Sequence, residues 1–273
     1  MAQTTEWPAR LMLVGAGKMG GALAKGWLEA GLAPGALTIL EPDPSAAIAA
    51  LTAQGVALNP RAPAPPEALL LAVKPQSLEA VARAIATHAG AHTLVLSILA
   101  GKTIANLRAR LPEARALVRA MPNTPAAIGR GVTAAFANSE VGAVQRRWSE
   151  RLLGAVGAFH WLAEEELMDA VTAVSGSGPA YVFALTEALA AAAEKLGLPG
   201  ELAASLARGT IEGAGELMRR EAGVSPATLR SNVTSPGGTT AAALAVLQAP
   251  GGLDDLMARA TLAARDRARE MAG

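Results

Sequence analysis

A short apolar run, a glycine-rich hexapeptide and a helical pattern follow one another near the start of the chain, and together they limit its fold more than any other feature. Residues 11–14 predict a buried strand, and the residues after Gly20 have helical periodicity. The hexapeptide is Gly15-Ala16-Gly17-Lys18-Met19-Gly20. Between a strand and a helix, its glycines allow a tight turn, close approach of the backbone to a pyrophosphate, and close helix–strand packing. The motif therefore predicts a Rossmann-type fold that holds a dinucleotide at a helix N-terminus.

Short apolar runs alternate with helical patterns up to about residue 162. The predicted strands are residues 11–14, 37–40, 69–73, 94–97 and 116–119, and residues 133–136 and 159–161 are candidate edge strands. The predicted helices are residues 20–30, 45–54, 77–86 and 104–111. This alternation predicts right-handed βαβ units and a parallel sheet covered by helices on both faces.

After residue 162 the pattern is helical throughout. The predicted helices are residues 164–174, 179–196, 201–221, 226–232, 240–248 and 253–271. Pro179 and Pro226 stand where a first helical turn tolerates proline, and Gly197 is a helix stop. Small alanine side chains let helices pack closely, often against a second subunit. We expect an α/β chain with a Rossmann domain over residues 1–162 and an all-helical domain over residues 163–273, either in a homodimer or, alternatively, as a tightly packed monomer.

Composition excludes several classes of protein. Of the 273 residues, 51% are apolar and 17% are charged, which is typical of a globular chain. The net charge of +1 gives no reason to expect nucleic acid or an anionic membrane as a partner. The chain has no cysteine, so no disulfide or thiolate metal site is possible, and we expect no metal. The start lacks the features of a signal peptide, and Glu187 interrupts the longest alanine-rich run, so we expect a soluble, cytoplasmic protein.

Glu41 closes the second predicted strand. A carboxylate there can accept hydrogen bonds from the adenosine ribose hydroxyls, and it repels a 2′-phosphate. No arginine follows in residues 42–45, so this position favours NADH over NADPH. Lys18 is the counter-argument, because its ammonium group could attract a phosphate, and a solvated strand end is the other interpretation of Glu41.

Further segments break the apolar runs with small or rigid residues. Those after the predicted strands are Ala72-Val73-Lys74-Pro75, Ser97-Ile98-Leu99-Ala100-Gly101 and Met121-Pro122-Asn123-Thr124-Pro125. Those before predicted helices are Ser175-Gly176-Ser177-Gly178-Pro179 and Ser235-Pro236-Gly237-Gly238-Thr239-Thr240. Ligands bind beyond the carboxyl ends of parallel strands, and free N–H groups at a helix N-terminus can hold a carboxylate. Taken singly, each segment is also compatible with an ordinary loop or helix-capping turn.

In this order, the segments resemble those of the pyrroline-5-carboxylate reductases over nearly the whole chain. The resemblance rests on the glycine hexapeptide, the five segments above, and the residues Ala180-Tyr181 and Val233-Thr234 that extend two of them. It implies a Rossmann domain and a helical domain that interlocks with the helical domain of a second subunit, and it leaves open further assembly of dimers into decamers. The implied reaction is reduction of L-1-pyrroline-5-carboxylate to L-proline by NADH or NADPH, the last step of proline biosynthesis.

The resemblance also assigns site residues. It implies cofactor contacts at Gly15, Ala16, Gly17, Lys18, Met19, Gly20, Ala72, Val73, Lys74, Pro75, Ile98, Leu99 and Ala100, to which the strand-end argument adds Glu41. It implies substrate contacts at Glu165, Asn232, Gly237, Gly238, Thr239 and Thr240. Thr240, nearest the ring nitrogen, is the candidate catalytic residue. Family members often have Asn or Gln at the position of Lys18 and a small polar residue at that of Glu41, so their NADPH preference does not carry over directly.

The implied chemistry needs no histidine, because an imine protonated on nitrogen accepts hydride readily. His88, His92 and His160 lie outside every motif, and we interpret them as surface or structural residues. One alternative is an oxidoreductase similar to 3-hydroxyacid dehydrogenases, which would need an active-site lysine, yet Lys195 is the sole lysine after Lys102. A non-catalytic dinucleotide-binding protein is the other alternative, and it would not need the segment 235–240 intact.

Overall fold

Eight strands form one sheet within residues 7–272, the part of the chain that the computed structural model describes. In chain order they are β1 Leu11–Val14, β2 Leu37–Leu40, β3 Ala57–Leu58, β4 Ala68–Leu71, β5 Leu94–Ser97, β6 Leu117–Met121, β7 Gly131–Ala137 and β8 Gly157–Trp161. Their order across the sheet is β3-β2-β1-β4-β5-β6-β7-β8. All pairs from β3 to β6 are parallel, so the predicted Rossmann-type sheet is confirmed.

One strand departs from the predicted parallel arrangement. β7 runs antiparallel to β6 and parallel to β8. The connection from β6 to β7 is short and contains only the 3₁₀ turn Thr124–Ile128, without a helix that crosses the sheet face. A short connection reverses the chain direction, whereas parallel neighbours need a long crossover. β7 therefore lies inside the sheet, and of the two candidate edge strands only β8 is at an edge.

Five helices accompany the sheet before residue 160. They are α1 Lys18–Glu29, α2 Ala46–Ala49, α3 Leu78–Ile85, α4 Ile104–Arg110 and α5 Ala143–Gly154. The first four were predicted, although α2 gives way to a 3₁₀ turn, Ala50–Gln54, that ends at Gly55 with φ 99°. α5 was missed because its sequence is largely polar: it buries only Ser149, Leu152 and Leu153.

The sheet has an apolar cluster on each face. Alternate residues of a strand point to opposite faces, so Leu11 and Leu13 join one cluster and Met12 and Val14 join the other. Trp27 on α1 is fully buried in the first cluster, and its Nε1 donates to the Leu152 carbonyl oxygen at 2.7 Å. Because the last carbonyls of a helix have no intrahelical partner, this bond satisfies the end of α5 and fixes it to α1.

The predicted helix over residues 164–174 is wrong in detail, because three short pieces take its place. They are the 3₁₀ turn Glu165–Leu167, the helix α6 Met168–Val171 and the π-helical turn Thr172–Gly176. Glu165 and Asp169 lie against the buried Arg119 of β6, which ties this segment to the sheet. By compactness the described part of the chain accordingly divides into residues 7–176 with 264–272, and residues 177–263. The expected domain boundary, residue 162, lies directly after the last strand of the sheet, which ends at Trp161, and not at the division by compactness.

Helices make up the second unit, as predicted. They are α7 Gly178–Lys195, α8 Gly200–Arg220, α9 Pro226–Asn232, α10 Thr239–Leu247 and α11 Leu253–Ala272, of which the end from residue 264 belongs to the first unit. Pro179 and Pro226 lie in first helical turns, and Gly197, with φ 95°, follows the end of α7. Among residues 7–272, no helix is long and apolar enough to cross a bilayer.

Large apolar side chains of this unit lie open in the single chain. Phe183 is 63% exposed and Leu206 is 50% exposed, while the buried side chains among residues 177–263 are only Ala203 and Ala207. Apolar surface on this scale marks an association surface. The helical unit therefore depends on a partner for much of its apolar burial.

Candidate functional site

The glycine loop, residues 15–20, has two positions without room for a side chain and one beside open space. A Cβ on Gly15, where φ is 90°, would lie 2.8 Å from Val73 Cγ1, and a Cβ on Gly20 would overlap the Gly15 carbonyl oxygen. A Cβ on Gly17 would meet no atom within 4 Å. Gly17 is the N-cap of α1, and the first turn of α1 contains no acidic residue. The positive end of the helix therefore faces open space, and no acidic side chain of its own first turn neutralises it.

A cavity of about 630 Å³, called the main cleft below, runs along the carboxyl ends of β1, β2 and β4. The predicted cofactor residues that line it are Gly15, Gly17, Glu41, Ala72, Val73 and Lys74. Ala16 and Gly20 are buried behind this surface, while Lys18 is exposed at the first residue of α1. Pro75 begins the 3₁₀ turn after Lys74. The glycine loop, Glu41 and the Ala72–Lys74 segment thus meet in one cavity.

A second pocket of about 240 Å³ shares Ala72 and Val73 with the main cleft. Its other lining residues are Met19, Ile98, Met121, Pro122, Asn123, Thr124 and Gly176. The side chain of Leu99 is buried in the core between the sheet and α3–α4, so only its main chain is available to a ligand, and Ala100 is half-buried. Segments after three different strands therefore converge here, as the position of the loops predicted.

Sequence reasoning named Asn123 and Gly176 only as members of longer segments, without an individual role, and the structure places both at this second pocket. The Asn123 side chain donates to the Ser175 carbonyl oxygen at 3.2 Å and accepts from the Val132 N–H at 2.8 Å. A Cβ on Gly176 would press on Met121 Cε at 2.6 Å. The Met-Pro-Asn-Thr-Pro and Ser-Gly-Ser-Gly-Pro motifs were visible separately, but nothing in either pattern indicated that they touch.

The carboxylate of Glu41 is turned toward the glycine loop. Its Oε2 accepts the Ala16 N–H at 2.7 Å, and its Oε1 accepts the Asp43 N–H at 3.1 Å. Asn59 holds the main chain of Glu41 by accepting its N–H at 2.9 Å and donating to its carbonyl oxygen at 2.7 Å. Glu41 is thus held by four hydrogen bonds and is not a freely solvated strand end.

The main cleft fits a dinucleotide. Gly17 leaves room for a pyrophosphate at a helix N-terminus. The exposed ammonium groups of Lys18 and Lys74 lie at the same end of the sheet and can attract its charge. Each carboxylate oxygen of Glu41 has lone pairs left for ribose hydroxyls. No group of three or more His, Asp or Glu within residues 7–272 is arranged to hold a metal ion.

Glu165, a predicted substrate residue, lies at the N-terminus of α4. Its Oε1 accepts the Ile104 N–H at 2.9 Å and lies 3.1 Å from Nη1 of Arg119, whose side chain is only 5% exposed. Asp169 lies 3.6 Å from the same guanidinium group. A buried guanidinium needs such partners, because an unpaired buried charge is strongly destabilising. Glu165 therefore compensates Arg119 and satisfies the first turn of α4.

The remaining predicted substrate residues lie around the start of α10. Asn232 ends α9, Gly237 has φ 69°, and Gly238 is the N-cap of α10. Thr239 and Thr240 are the first two residues of this helix, and Thr240 is half-buried. The Gly238 N–H donates to the Ser235 carbonyl oxygen at 3.1 Å, so it closes the turn itself, whereas the N–H groups of the first helical turn have no intrahelical partner.

Known proteins match this chain over nearly its whole length. Residues 165–271 match the family described as "Pyrroline-5-carboxylate reductase dimerisation", and residues 10–101 match "NADP oxidoreductase coenzyme F420-dependent". The pyrroline-5-carboxylate reductase of Pseudomonas aeruginosa is 42% identical over 268 residues, which cover 96% of this chain and 97% of that protein. That of Haemophilus influenzae is 36% identical, covering 88% of this chain and 89% of that protein.

Solved structures of pyrroline carboxylate reductases also match this chain. A pyrroline-5-carboxylate reductase from Coxiella burnetii superposes with a TM-score of 0.89 at 33% identity, covering 97% of this chain and 99% of that one. The Plasmodium falciparum pyrroline carboxylate reductase with NADP bound gives a TM-score of 0.81 at 29% identity, with 97% and 98% covered. The matched dimerisation domain supports a homodimer. The chain belongs to the pyrroline-5-carboxylate reductases, the NAD(P)H-dependent oxidoreductases that form proline from pyrroline-5-carboxylate.

Proposed function

We propose that the main cleft holds the nicotinamide dinucleotide of this reductase, with its pyrophosphate beside Gly17. One observation carries this proposal. Gly17 faces open space, whereas Gly15 and Gly20 have no room for a side chain. The second pocket, with Met19, Ile98 and the Met121–Thr124 segment, is then the place for the nicotinamide end. The bound cofactor supplies a hydride, and the residues of the chain hold and orient it.

The start of α10 is proposed to hold the substrate. The substrate carboxylate would accept hydrogen bonds from N–H groups near Gly237 and Thr239, at a helix N-terminus whose first turn has no acidic residue. The Thr240 hydroxyl can donate to or accept from the ring nitrogen, so it would orient the imine and assist its protonation. Asn232 and Glu165 complete the proposed set of substrate residues. Catalysis would then come mainly from orientation and from electrostatic help at nitrogen.

We also propose that Glu41 makes NADH the preferred cofactor. Its carboxylate is fixed at the glycine loop, so it can accept from the ribose hydroxyls of NADH and repel the 2′-phosphate of NADPH. The Plasmodium falciparum relative was solved with NADP bound, and we propose that Glu41 gives this chain a different preference.

Glu41→Ser is expected to lower the ratio of kcat/KM for NADH to kcat/KM for NADPH by about tenfold to a hundredfold, because a hydrogen bond to a charged group contributes about 1.5–3 kcal/mol. Steady-state oxidation of each cofactor with saturating pyrroline-5-carboxylate measures the ratio. Glu140→Ser, the same change at an exposed residue before α5, is the control and should leave the ratio unchanged. A ratio that Glu41→Ser does not alter would contradict the proposed role.

The remaining proposals concern assembly and location. The exposed apolar side chains of α7 and α8 supply a surface for the homodimer, and dimers are proposed to assemble further into decamers. A cytoplasmic location is proposed from the family. We retain residue 162 as the proposed boundary between the dinucleotide-binding and dimerisation domains, which agrees with a dimerisation match that begins at residue 165.

A further inference from the structure

Asn59 lines the main cleft beside Glu41, and the reaction gives it no evident task. Its φ is 48°, the single positive value at a non-glycine residue among those the structure describes. Asparagine tolerates this left-handed conformation better than most residues. Its own N–H donates to the Ile39 carbonyl oxygen at 2.9 Å, so the residue is fixed against β2.

The side chain of Asn59 holds both peptide groups that flank the Glu41 Cα. Its Oδ1 accepts the Glu41 N–H at 2.9 Å, and its Nδ2 donates to the Glu41 carbonyl oxygen at 2.7 Å. Only a carboxamide side chain offers an acceptor and a donor side by side in this way. With both peptide groups fixed, the direction in which the Glu41 side chain leaves the backbone is fixed as well.

We propose that Asn59 is a positioning residue for cofactor selectivity, which acts by holding the Glu41 carboxylate against the glycine loop. This inference rests on the proposed role of Glu41. The carboxylate can serve as ribose acceptor and as a barrier to the 2′-phosphate only while it stays at the Ala16 N–H, 2.7 Å away. A Glu41 side chain without the support of Asn59 would turn to solvent, where its charge is screened and its acceptor atoms are displaced.

Asn59→Ala and Asn59→Gly test the proposal together. Both remove the carboxamide, and glycine adopts the positive φ without strain, so the two variants differ in stability. Each is expected to lower the NADH-to-NADPH ratio of kcat/KM by about threefold to tenfold, the effect of about one lost hydrogen bond. The change should lie in KM for NADH, with kcat at saturating NADH retained. If one variant does not fold, the other still gives the ratio.

Asn138 provides a matched control. Its side chain also makes one bond of each kind to the main chain, accepting the Leu117 N–H at 3.1 Å and donating to the Arg115 carbonyl oxygen at 2.7 Å. It does so at the start of β6, outside the residues that line either cavity. Asn138→Ala should lower thermal stability as Asn59→Ala does and leave the cofactor ratio unchanged. An equal shift of the ratio in both variants would show a general structural effect and overturn the proposal.

Combining the substitutions separates this inference from the role of Glu41. In the Glu41→Ser background, Asn59→Ala should cause no further change in the ratio, because no carboxylate remains to be positioned. If Glu41→Ser shifts the ratio but neither Asn59 variant does, or if their effects add fully, the inference is wrong and the proposed role of Glu41 stands. If Glu41→Ser leaves the ratio unchanged, the proposed role fails and the inference fails with it.

Discussion

Thr240→Ala is expected to lower kcat for pyrroline-5-carboxylate reduction by about a hundredfold, the usual effect of removing one polar group that stabilises a transition state. The Thr240 hydroxyl is the group proposed to meet the ring nitrogen, where charge changes as hydride arrives at the neighbouring carbon. Its loss should leave the Kd for NADH and NADPH near the wild-type values, because the main cleft lies wholly within the first unit. Steady-state kinetics and a fluorescence titration of each cofactor measure the two effects.

Thr261→Ala is the matched control for this substitution. Thr261 lies on α11 in the same unit, and its hydroxyl donates to the Met257 carbonyl oxygen at 2.8 Å, one turn earlier. Removing it should leave kcat close to wild type. A Thr240→Ala enzyme that turns over nearly as fast as wild type would show that another group supplies the polar contact at nitrogen.

Gly17→Asp is expected to abolish measurable cofactor binding without destabilising the fold. Aspartate is favoured at an N-cap and interacts well with the positive end of α1, so the free energy of unfolding should hold or rise by about 0.5 kcal/mol. A Cβ here meets no protein atom within 4 Å, so there is space for the side chain. The new carboxylate would occupy the pyrophosphate position and repel it, raising the Kd for both cofactors by about a hundredfold or more.

Thermal unfolding and cofactor titration of the same variant check both halves of this prediction. Gly35→Asp makes the same change in charge at an exposed glycine, which also has no atom near its Cβ position and which lines neither cavity. It should bind cofactor as wild type does. Retained binding in Gly17→Asp would place the pyrophosphate elsewhere, whereas a large loss of stability would show that the open space at Gly17 is needed for folding.

Sequence patterns predicted most of the strands and helices, because each element is formed by residues that are adjacent in the chain. The apolar run of β1, the glycine loop and the start of α1 are contiguous, and burial on both faces leaves β1 and β4 apolar at every position. β7 and α5 were harder to predict. The direction of β7 depends on a short connection, and α5 reaches the core with few apolar side chains.

In the candidate site, too, some features follow from the local sequence and others depend on contacts between distant residues. Spacing alone could predict that Gly15, Gly17 and Glu41 lie together beyond the strand ends, where all three line the main cleft. Asn59 could not, since it lies 18 residues from Glu41 and its importance rests on two long-range hydrogen bonds. The pairing of Arg119 with Glu165, across 46 residues, was hidden for the same reason. Contacts between distant segments leave no periodic signal in a sequence.

Cofactor oxidation by the wild-type enzyme, followed with and without pyrroline-5-carboxylate, is the direct test of the assigned reaction. NADH and NADPH are supplied in separate reactions at equal concentration, and proline is identified as the product. We expect oxidation only when the imine is present, formation of proline in equal amount, and a higher kcat/KM with NADH. Absence of imine-dependent oxidation with both cofactors would contradict the assigned reaction, and a higher kcat/KM with NADPH would contradict the role given to Glu41.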